Sequence, residues 1–163
     1  MDRKGIYVVM GVSGCGKSTI GLLLAEKLGI PFFDGDDYHP EANVKKMKSG
    51  LALNDDDRKG WLEALNELAI EHKQKGAVIA CSALKESYRS LLRKQLKKEL
   101  AFVYLKGSFS EIHARLQKRK GHYMPIELLK SQFETLEEPK DAITVSITHS
   151  PDRIVTEILK KTA

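Results

Sequence analysis

The stretch IYVVMGVSGCGKSTIGLLLAEKL, residues 6–28, decides the fold of this chain. Its first five residues are apolar and mostly β-branched or aromatic, which is typical of a buried strand. Apolar residues then recur at helical spacing, at Ile20, Leu23, Leu24 and Leu28. Between strand and helix, residues 11–18 read GVSGCGKS and match G-x-x-x-x-G-K-[ST], the pattern of a phosphate-binding loop (P-loop). The motif therefore has the strand–loop–helix context that it requires.

The chemistry of such a loop predicts a nucleotide site. Glycines let consecutive backbone N–H groups wrap around a polyphosphate, and the positive end of the following helix adds to the attraction. We expect Lys17 to reach the outer phosphates and the Ser18 hydroxyl to ligate Mg²⁺. The residues expected to bind ATP in this loop are Gly11, Val12, Ser13, Gly14, Cys15, Gly16, Lys17, Ser18 and Thr19.

Strand and helix patterns alternate along the rest of the chain. Four further apolar runs predict strands, at 31–33, 77–81, 101–105 and 143–147. Strands separated by helices form a parallel sheet that is covered on both faces. The sequence therefore predicts an α/β protein of the P-loop NTPase fold, with a five-stranded parallel sheet and helices on both faces.

The domain organisation follows from length and from the absence of breaks. A chain of 163 residues can bury one good core, and neither a linker nor a repeat divides it, so we expect a single domain over 1–163. Two polar stretches interrupt the alternation. We interpret about 36–60 as a small helical insertion that binds the acceptor, and about 119–126 as a lid.

Composition limits the partners and the compartment. The net charge is +5, but the lysines are scattered, which favours a solvated surface with a site for an anionic substrate over nucleic-acid binding. No apolar run approaches the ~20 residues that span a bilayer, and no signal peptide is apparent, so we expect a cytoplasmic protein without membrane contact. The two cysteines, Cys15 and Cys81, lack the spacing of a zinc site.

Several classes of protein contain a P-loop. A GTPase would show a guanine-reading N-K-x-D motif, which is absent. An ATP-driven motor would carry an aspartate at the end of an apolar strand, whereas the third predicted strand ends at Cys81 and Ser82. These absences favour a small-molecule kinase, in which Asp34 at the tip of the second strand supplies the magnesium-organising carboxylate.

The acidic segment FFDGDDYHP, residues 32–40, lies at the carboxyl end of that strand, where ligands gather in open parallel sheets. We expect Asp34 to hold Mg²⁺ through water and Asp36 to accept a proton from an attacking hydroxyl. Alternation along an extended backbone would turn Gly35 away and bring Asp36 to the same side as Asp34. Asp37 is interpreted as a turn or helix-cap residue.

At this point the chain resembles a known family, the small P-loop gluconokinases, which are related to shikimate kinase and the nucleoside monophosphate kinases. The resemblance covers nearly the whole chain, through GVSGCGKST, DGDDYHP, NVKKMKSG, LNDDDRKGWL, CSALKESYR, YLKG, RLQKRKGHYM and SQFETLEEP, in that order. It implies transfer of the ATP γ-phosphate to the 6-hydroxyl of D-gluconate. ATP and Mg²⁺ are the implied cofactors.

Gluconate is a polyol with one carboxylate, so its pocket should combine hydroxyl acceptors with cations. Asp36 and His39 are candidates for the hydroxyls. Arg58 and Arg89 offer a guanidinium that binds a carboxylate in a bidentate way, and Lys85 offers a point charge. The sequence leaves open which of these three cations holds the carboxylate.

Arg115 and Arg119 lie four positions apart on one helical face and lead into the predicted lid. Their arrangement is similar to the lid entrance of adenylate kinases, in which the first arginine lies against adenine and the second meets the transferred phosphoryl group. We therefore expect both to bind ATP and Arg119 to act in catalysis with Lys17 and Asp36. His122 is expected to contact phosphate or gluconate. A solvated basic helix end is the alternative.

Two other functions stay open on sequence alone. A shikimate-kinase-like enzyme also combines a P-loop with a D-x-D after the second strand, although the LNDDDR and CSALK blocks count against it. A nucleotide-dependent binding module or RNA-associated protein is the alternative from another class, but no aromatic stacking motif accompanies the basic residues. The sequence is compatible with a homodimer and does not determine the oligomeric state.

Overall fold

Five parallel strands form the central sheet, as the sequence predicts. The computed structural model describes residues 5–118 and 125–162. The strands are β1 (Ile6–Met10), β2 (Phe32–Asp34), β3 (Ala77–Ala80), β4 (Leu100–Lys106) and β5 (Ile143–Ser146). They pair in the order β2-β3-β1-β4-β5, and every pairing is parallel. All residues of β1 and β3 are buried, which explains why these strands are continuous apolar runs rather than alternating ones.

The connections between the strands are helical. The helices are α1 (Lys17–Leu28), α2 (Glu41–Lys48), α3 (Asp55–Glu71), α4 (Glu86–Leu92), α5 (Phe109–Lys118), α6 (Ile126–Thr135) and α7 (Pro151–Thr162). Short 3₁₀ turns occupy Gly35–Tyr38 and Lys97–Glu99. Helices α1 and α7 pack against each other and the sheet, while α3 packs against α4. One buried core extends from Ile6 to Ile158, and the single-domain assignment stays a prediction.

One helix ends earlier than its apolar spacing suggests. The run LLRKQL, residues 91–96, reads as helical, but α4 stops at Leu92. Gln95 follows with a φ of 68°, in the left-handed region that a right-handed helix cannot contain. The buried Asn66 side chain of α3 donates to the carbonyls of Leu92 and Lys94, at 2.8 and 2.9 Å. A partner distant in the chain therefore satisfies the carbonyls at the helix end.

The structure describes one of the two predicted polar stretches fully and the other only in small part. The predicted insertion, about 36–60, comprises the first 3₁₀ turn, α2 and the start of α3. The predicted lid, about 119–126, lies mostly outside the described residues, and the structure describes only Pro125 and Ile126 of it. Within 5–118 and 125–162, none of the helices has the length and apolar character that crossing a bilayer requires.

Gly35 provides a test of how tightly the acidic segment packs on the sheet. A Cβ at this position would lie 2.3 Å from the backbone oxygen of Ala80, which cannot move independently of β3. Gly35→Ala is therefore expected to lower the free energy of unfolding by about 1–3 kcal/mol. The control is Gly60→Ala in the exposed interior of α3, where nothing lies within 4 Å of the added Cβ. It should raise stability by about 0.5–1 kcal/mol. Urea unfolding of both variants measures the contrast, and equal effects would contradict the packing.

Candidate active site

The P-loop joins β1 to α1 and is held by its own hydrogen bonds. Gly14 and Gly16 adopt φ angles of 84° and 99°, which glycine accepts without strain. The Lys17 ammonium donates to the carbonyls of Gly11 and Val12, both at 3.1 Å. The lysine therefore lies across the loop, held by two of the loop carbonyls. This geometry matches the site that the sequence predicts for a polyphosphate.

Ser18 and Asp34 meet at the tip of β2. The Ser18 hydroxyl donates to Asp34 Oδ2 at 3.0 Å, while Asp34 Oδ1 accepts the backbone N–H of Asp36 at 3.0 Å. Hydroxyl and carboxylate oxygens are the ligands that Mg²⁺ prefers, so this pair fits the predicted ion. No cluster of three or more His, Cys, Asp or Glu side chains suited to a metal occurs among the described residues.

A cavity of about 310 Å³ adjoins the P-loop. Its wall combines two P-loop residues, the insertion, and helices α3 and α6. The lining residues with polar or charged side chains that bear on chemistry are Ser13, Lys17, Asp36, His39, Arg58, Ser82, Ser131 and Gln132. The structure thus brings together Lys17, which is predicted to bind the phosphates of ATP, and three residues predicted to contact the acceptor substrate. These three are Asp36, His39 and Arg58.

Asp36 lines this cavity and Asp37 is not among its lining residues, but the reason differs from the one that the sequence suggests. Residues Gly35–Tyr38 form a 3₁₀ turn, not an extended strand, so alternation does not apply. Asp34 is the N-cap of that turn and accepts the Asp36 N–H. The turn, rather than the pleat of a strand, aims the Asp36 side chain at the cavity.

In the cleft, the pKa values of Asp36 and His39 shift in opposite directions. The Asp36 side chain is largely exposed to solvent, but partial desolvation by the surrounding cleft raises its pKa above the usual value. The Lys17 ammonium opposes this rise, and Asp34 and Asp37 add to it. Burial, together with the smaller effect of the nearby Arg58 charge, lowers the pKa of His39 to about 4. His39 is therefore neutral at pH 7.

Arg58 is the predicted cation that the structure places in the cavity wall. Its Nη1 donates to the Leu53 carbonyl at 2.7 Å and to the Tyr88 hydroxyl at 2.9 Å. Its guanidinium carbon lies 5.1 Å from the centre of the Tyr88 ring. These contacts hold the guanidinium in a defined position, which is what recognition of a planar carboxylate requires.

Lys85 lies next to the cavity but is already paired. Its ammonium binds Asp55 at 3.1 Å, in a neighbouring depression that Arg58 also lines. The hydrogen bond to Asp55 raises the pKa of Lys85. The hydrogen bond that Tyr88 donates to Asp55 is the largest cause that lowers the pKa of this carboxyl. Lys85 therefore contacts the edge of the site, with much of its charge balanced.

The structure does not bring Arg89 into the cavity. Its side chain is only 1% exposed, and its guanidinium donates to the carbonyls of Ala83 and Glu137, at 2.7 and 2.8 Å. Its Nε also pairs with Glu86 at 3.2 Å. A buried arginine is retained where backbone carbonyls satisfy its donors. Arg89 thus joins the segments after β3 and α6, and its donors are occupied by the protein rather than available to a substrate.

Arg115 lies beside the P-loop, outside the cavity wall. Its Nη2 donates to the Ile147 carbonyl, and its Nη1 would lie 4.0 Å from a Cβ at Gly16. This position agrees with a contact to the nucleotide, which stays a prediction. Arg119 and His122 lie outside the described residues, so the structure does not test their predicted roles.

Sequence reasoning missed Gln132 and Trp61 among the residues of the site. Gln132 of α6 accepts the Ser13 backbone N–H at 2.7 Å and donates to the Ser13 hydroxyl at 3.0 Å. Trp61 of α3 stacks on His39 with ring centres 3.9 Å apart and donates to the Gly35 carbonyl at 2.7 Å. Trp61 reads as a core residue by its helical spacing. The block SQFETLEEP contains Gln132, but no local rule connects it to a loop 119 positions earlier.

Known proteins resemble this chain in sequence and in fold. Residues 13–163 match the family model of shikimate kinase. The chain is 47% identical over 165 residues to the thermoresistant gluconokinase of Escherichia coli K12, covering 96% of this chain and 94% of that protein. The crystal structure of a gluconokinase from Sinorhizobium meliloti 1021 superposes with a TM-score of 0.90 at 43% identity, over 99% of this chain and 93% of that one. A shikimate kinase from Aquifex aeolicus, 23% identical with a TM-score of 0.59, shows likeness of fold alone.

Proposed function

Because the chain belongs to the gluconokinase family, we propose that it uses ATP to phosphorylate D-gluconate at the 6-hydroxyl, giving 6-phospho-D-gluconate and ADP. One observation carries the proposal. A single cavity is lined both by Ser13 and Lys17 of the P-loop and by Asp36 and Arg58 of the acceptor side. A kinase needs this arrangement, since the two substrates must meet with the reacting atoms about 3–3.5 Å apart.

Asp36 is the proposed general base. The 6-hydroxyl oxygen attacks the γ-phosphorus as the bond from phosphorus to the bridging oxygen of ADP breaks, and the hydroxyl proton passes to the Asp36 carboxylate. The raised pKa of Asp36 suits this role, because it makes the carboxylate a better proton acceptor than an ordinary aspartate. The neutral His39 beside it is proposed to contact a substrate hydroxyl.

Cations near the phosphates are proposed to stabilise the charge that spreads over the transferred phosphoryl group. Lys17 moves from the loop carbonyls to the outer phosphates. Arg115, beside Gly16, is proposed to lie against the nucleotide. The roles of Arg119 at the γ-phosphate and of His122 rest on the family resemblance alone.

The Ser18–Asp34 pair is the proposed magnesium site, with Ser18 as a direct ligand and Asp34 acting through water. The chemistry that a bound Mg²⁺ would supply there is positive charge beside the phosphates. The contribution of the chain is to hold the two oxygens together at the strand tip, where Asp34 is also fixed by the Asp36 N–H.

Arg58 is the proposed partner of the gluconate carboxylate, with Lys85 as a second cation at the edge. Arg58 lines the main cavity and is held by Leu53 and Tyr88, whereas Lys85 is paired with Asp55. A planar, fixed guanidinium binds a carboxylate with more specificity than a point charge.

A coupled ADP-release assay with a panel of acids tests the function. We expect turnover with D-gluconate and ATP, and much less with shikimate. A shikimate-kinase-like enzyme would reverse the order. A nucleotide-dependent binding module would show no turnover stimulated by gluconate, and that result would overturn the proposal. A cytoplasmic location and a homodimeric state stay predictions.

A further inference from the structure

Asn43 of α2 is one of the few buried polar residues of the described chain, with 4% of its surface exposed. Its Nδ2 donates to the Asp57 carbonyl at 2.7 Å and lies 3.2 Å from His39 Nδ1. A backbone carbonyl can only accept a hydrogen bond, so the amide atom that faces it must be the nitrogen. The orientation of the Asn43 amide is therefore determined by Asp57.

This orientation determines the tautomer of His39. The second hydrogen of Asn43 Nδ2 points to His39 Nδ1, so Nδ1 must be an unprotonated acceptor. A neutral imidazole with an acceptor at Nδ1 carries its hydrogen on Nε2. His39 lines the cavity, and its Nε2 lies 3.9 Å from Asp36 Oδ1.

Among the described residues, burial of the ring and the charge of Arg58 favour the neutral form of His39, whereas the Asp36 carboxylate opposes it. Trp61 of α3 covers one face of the ring, and the positive Arg58, also on α3, opposes a second positive charge. The Asn43 amide of α2 donates a hydrogen bond to Nδ1, and a protonated Nδ1 could not accept that bond. The His39 side chain is 3% exposed, so water does not stabilise a positive charge on the ring.

We propose that Asn43 is a positioning residue that holds His39 as its Nε2–H tautomer, so that His39 Nε2–H and the Asp36 carboxylate together recognise the attacking hydroxyl. This inference rests on the proposed gluconate kinase reaction. A distance of 3.9 Å is too long for a direct hydrogen bond. A hydroxyl oxygen within about 2.8 Å of both atoms accepts from Nε2–H and donates its proton to Asp36. His39 thus orients a lone pair of the nucleophile and leaves Asp36 as the base.

The first test is nitrogen NMR of the wild-type histidine rings, with the His39 signal assigned by comparison with His39→Gln. The chain has five histidines, so the assignment is tractable. We expect the Nε2–H pattern of a neutral ring at pH 7. A ring protonated at Nδ1, or a charged ring at this pH, would overturn the proposal whether or not any variant folds.

The second test compares two buried asparagines. Asn43→Asp keeps the size of the side chain but replaces the donor with an acceptor, which favours a hydrogen on His39 Nδ1 and raises the pKa of the ring. We expect kcat for gluconate to fall about 10- to 100-fold, the effect of one hydrogen bond to a reacting group, with little change in the KM for ATP. The matched control is Asn66→Asp, which likewise loses bonds from a buried amide to backbone carbonyls, but the carbonyls are those of Leu92 and Lys94 at the end of α4, and neither residue lines the cavity.

Asn66→Asp should lower thermal stability while leaving kcat and the His39 signals unchanged. Equal losses of kcat in both variants, or an unchanged His39 tautomer in Asn43→Asp, would overturn the positioning role. Wild-type turnover with gluconate is measured first. Its absence would contradict the proposed function, whereas the NMR result reports on the tautomer independently.

Discussion

Asp36→Asn is expected to lower kcat for gluconate by about 10²- to 10⁴-fold, the contribution of a positioned general base. Asparagine keeps the shape of the side chain but cannot take a proton from the 6-hydroxyl. Binding of an ATP analogue should be nearly unchanged, because the P-loop carries the donor nucleotide. Steady-state kinetics with gluconate, together with analogue binding, separates the two effects.

Asp37→Asn is the matched control for this prediction. It changes the neighbouring carboxylate in the same turn, but Asp37 is not among the residues that line the cavity. It should therefore change kcat only slightly. Equal losses in the two variants, or a larger loss in Asp37→Asn, would show that the base is assigned wrongly even if the protein phosphorylates gluconate.

The pH dependence of kcat/KM for the wild-type enzyme provides a second test of Asp36 as the general base. A general base must be deprotonated, so kcat/KM falls as pH falls through its pKa. Desolvation in the cleft raises the pKa of Asp36, so the fall should begin at a higher pH than for an ordinary aspartate. His39, with a pKa of about 4, should not produce a limb near pH 6.5.

Lys17→Ala is expected to abolish measurable turnover, with a loss of at least about 10²- to 10³-fold, the cost of removing one group that stabilises transition-state charge. The Lys17 ammonium donates to the carbonyls of Gly11 and Val12 in the partly exposed loop and is not part of the hydrophobic core. The protein should therefore stay folded, which thermal unfolding can verify.

Lys27→Ala is the control for the loss of charge. Lys27 is exposed in the last turn of the same helix α1, so its removal changes the net charge equally without touching the loop. We expect normal kinetics for this variant. Full activity in a correctly folded Lys17→Ala protein would remove the kinase mechanism proposed here.

Local pattern was enough to predict the fold and part of the site. The apolar runs and the glycines of residues 6–28 depend on near neighbours in sequence, so the strand, loop and helix follow from periodicity and backbone freedom. The same is true of the acidic segment, because residues at the carboxyl end of a parallel strand share one edge of the sheet. Asp34 and Asp36 were found in this way, although the 3₁₀ turn that aims Asp36 was not.

The sequence by itself therefore determined the α/β architecture, the P-loop and the identity of the acidic residues beside it. Only the tertiary structure separated Arg58, in the cavity wall, from Arg89, whose donors are satisfied by carbonyls as far as 48 positions away. It also joined Gln132 to Ser13 across 119 positions, and determined the tautomer of His39 through Asn43. The physical reason is that periodicity reports which face of an element is buried. The partner of a buried polar group depends instead on atoms that folding brings close from distant parts of the chain.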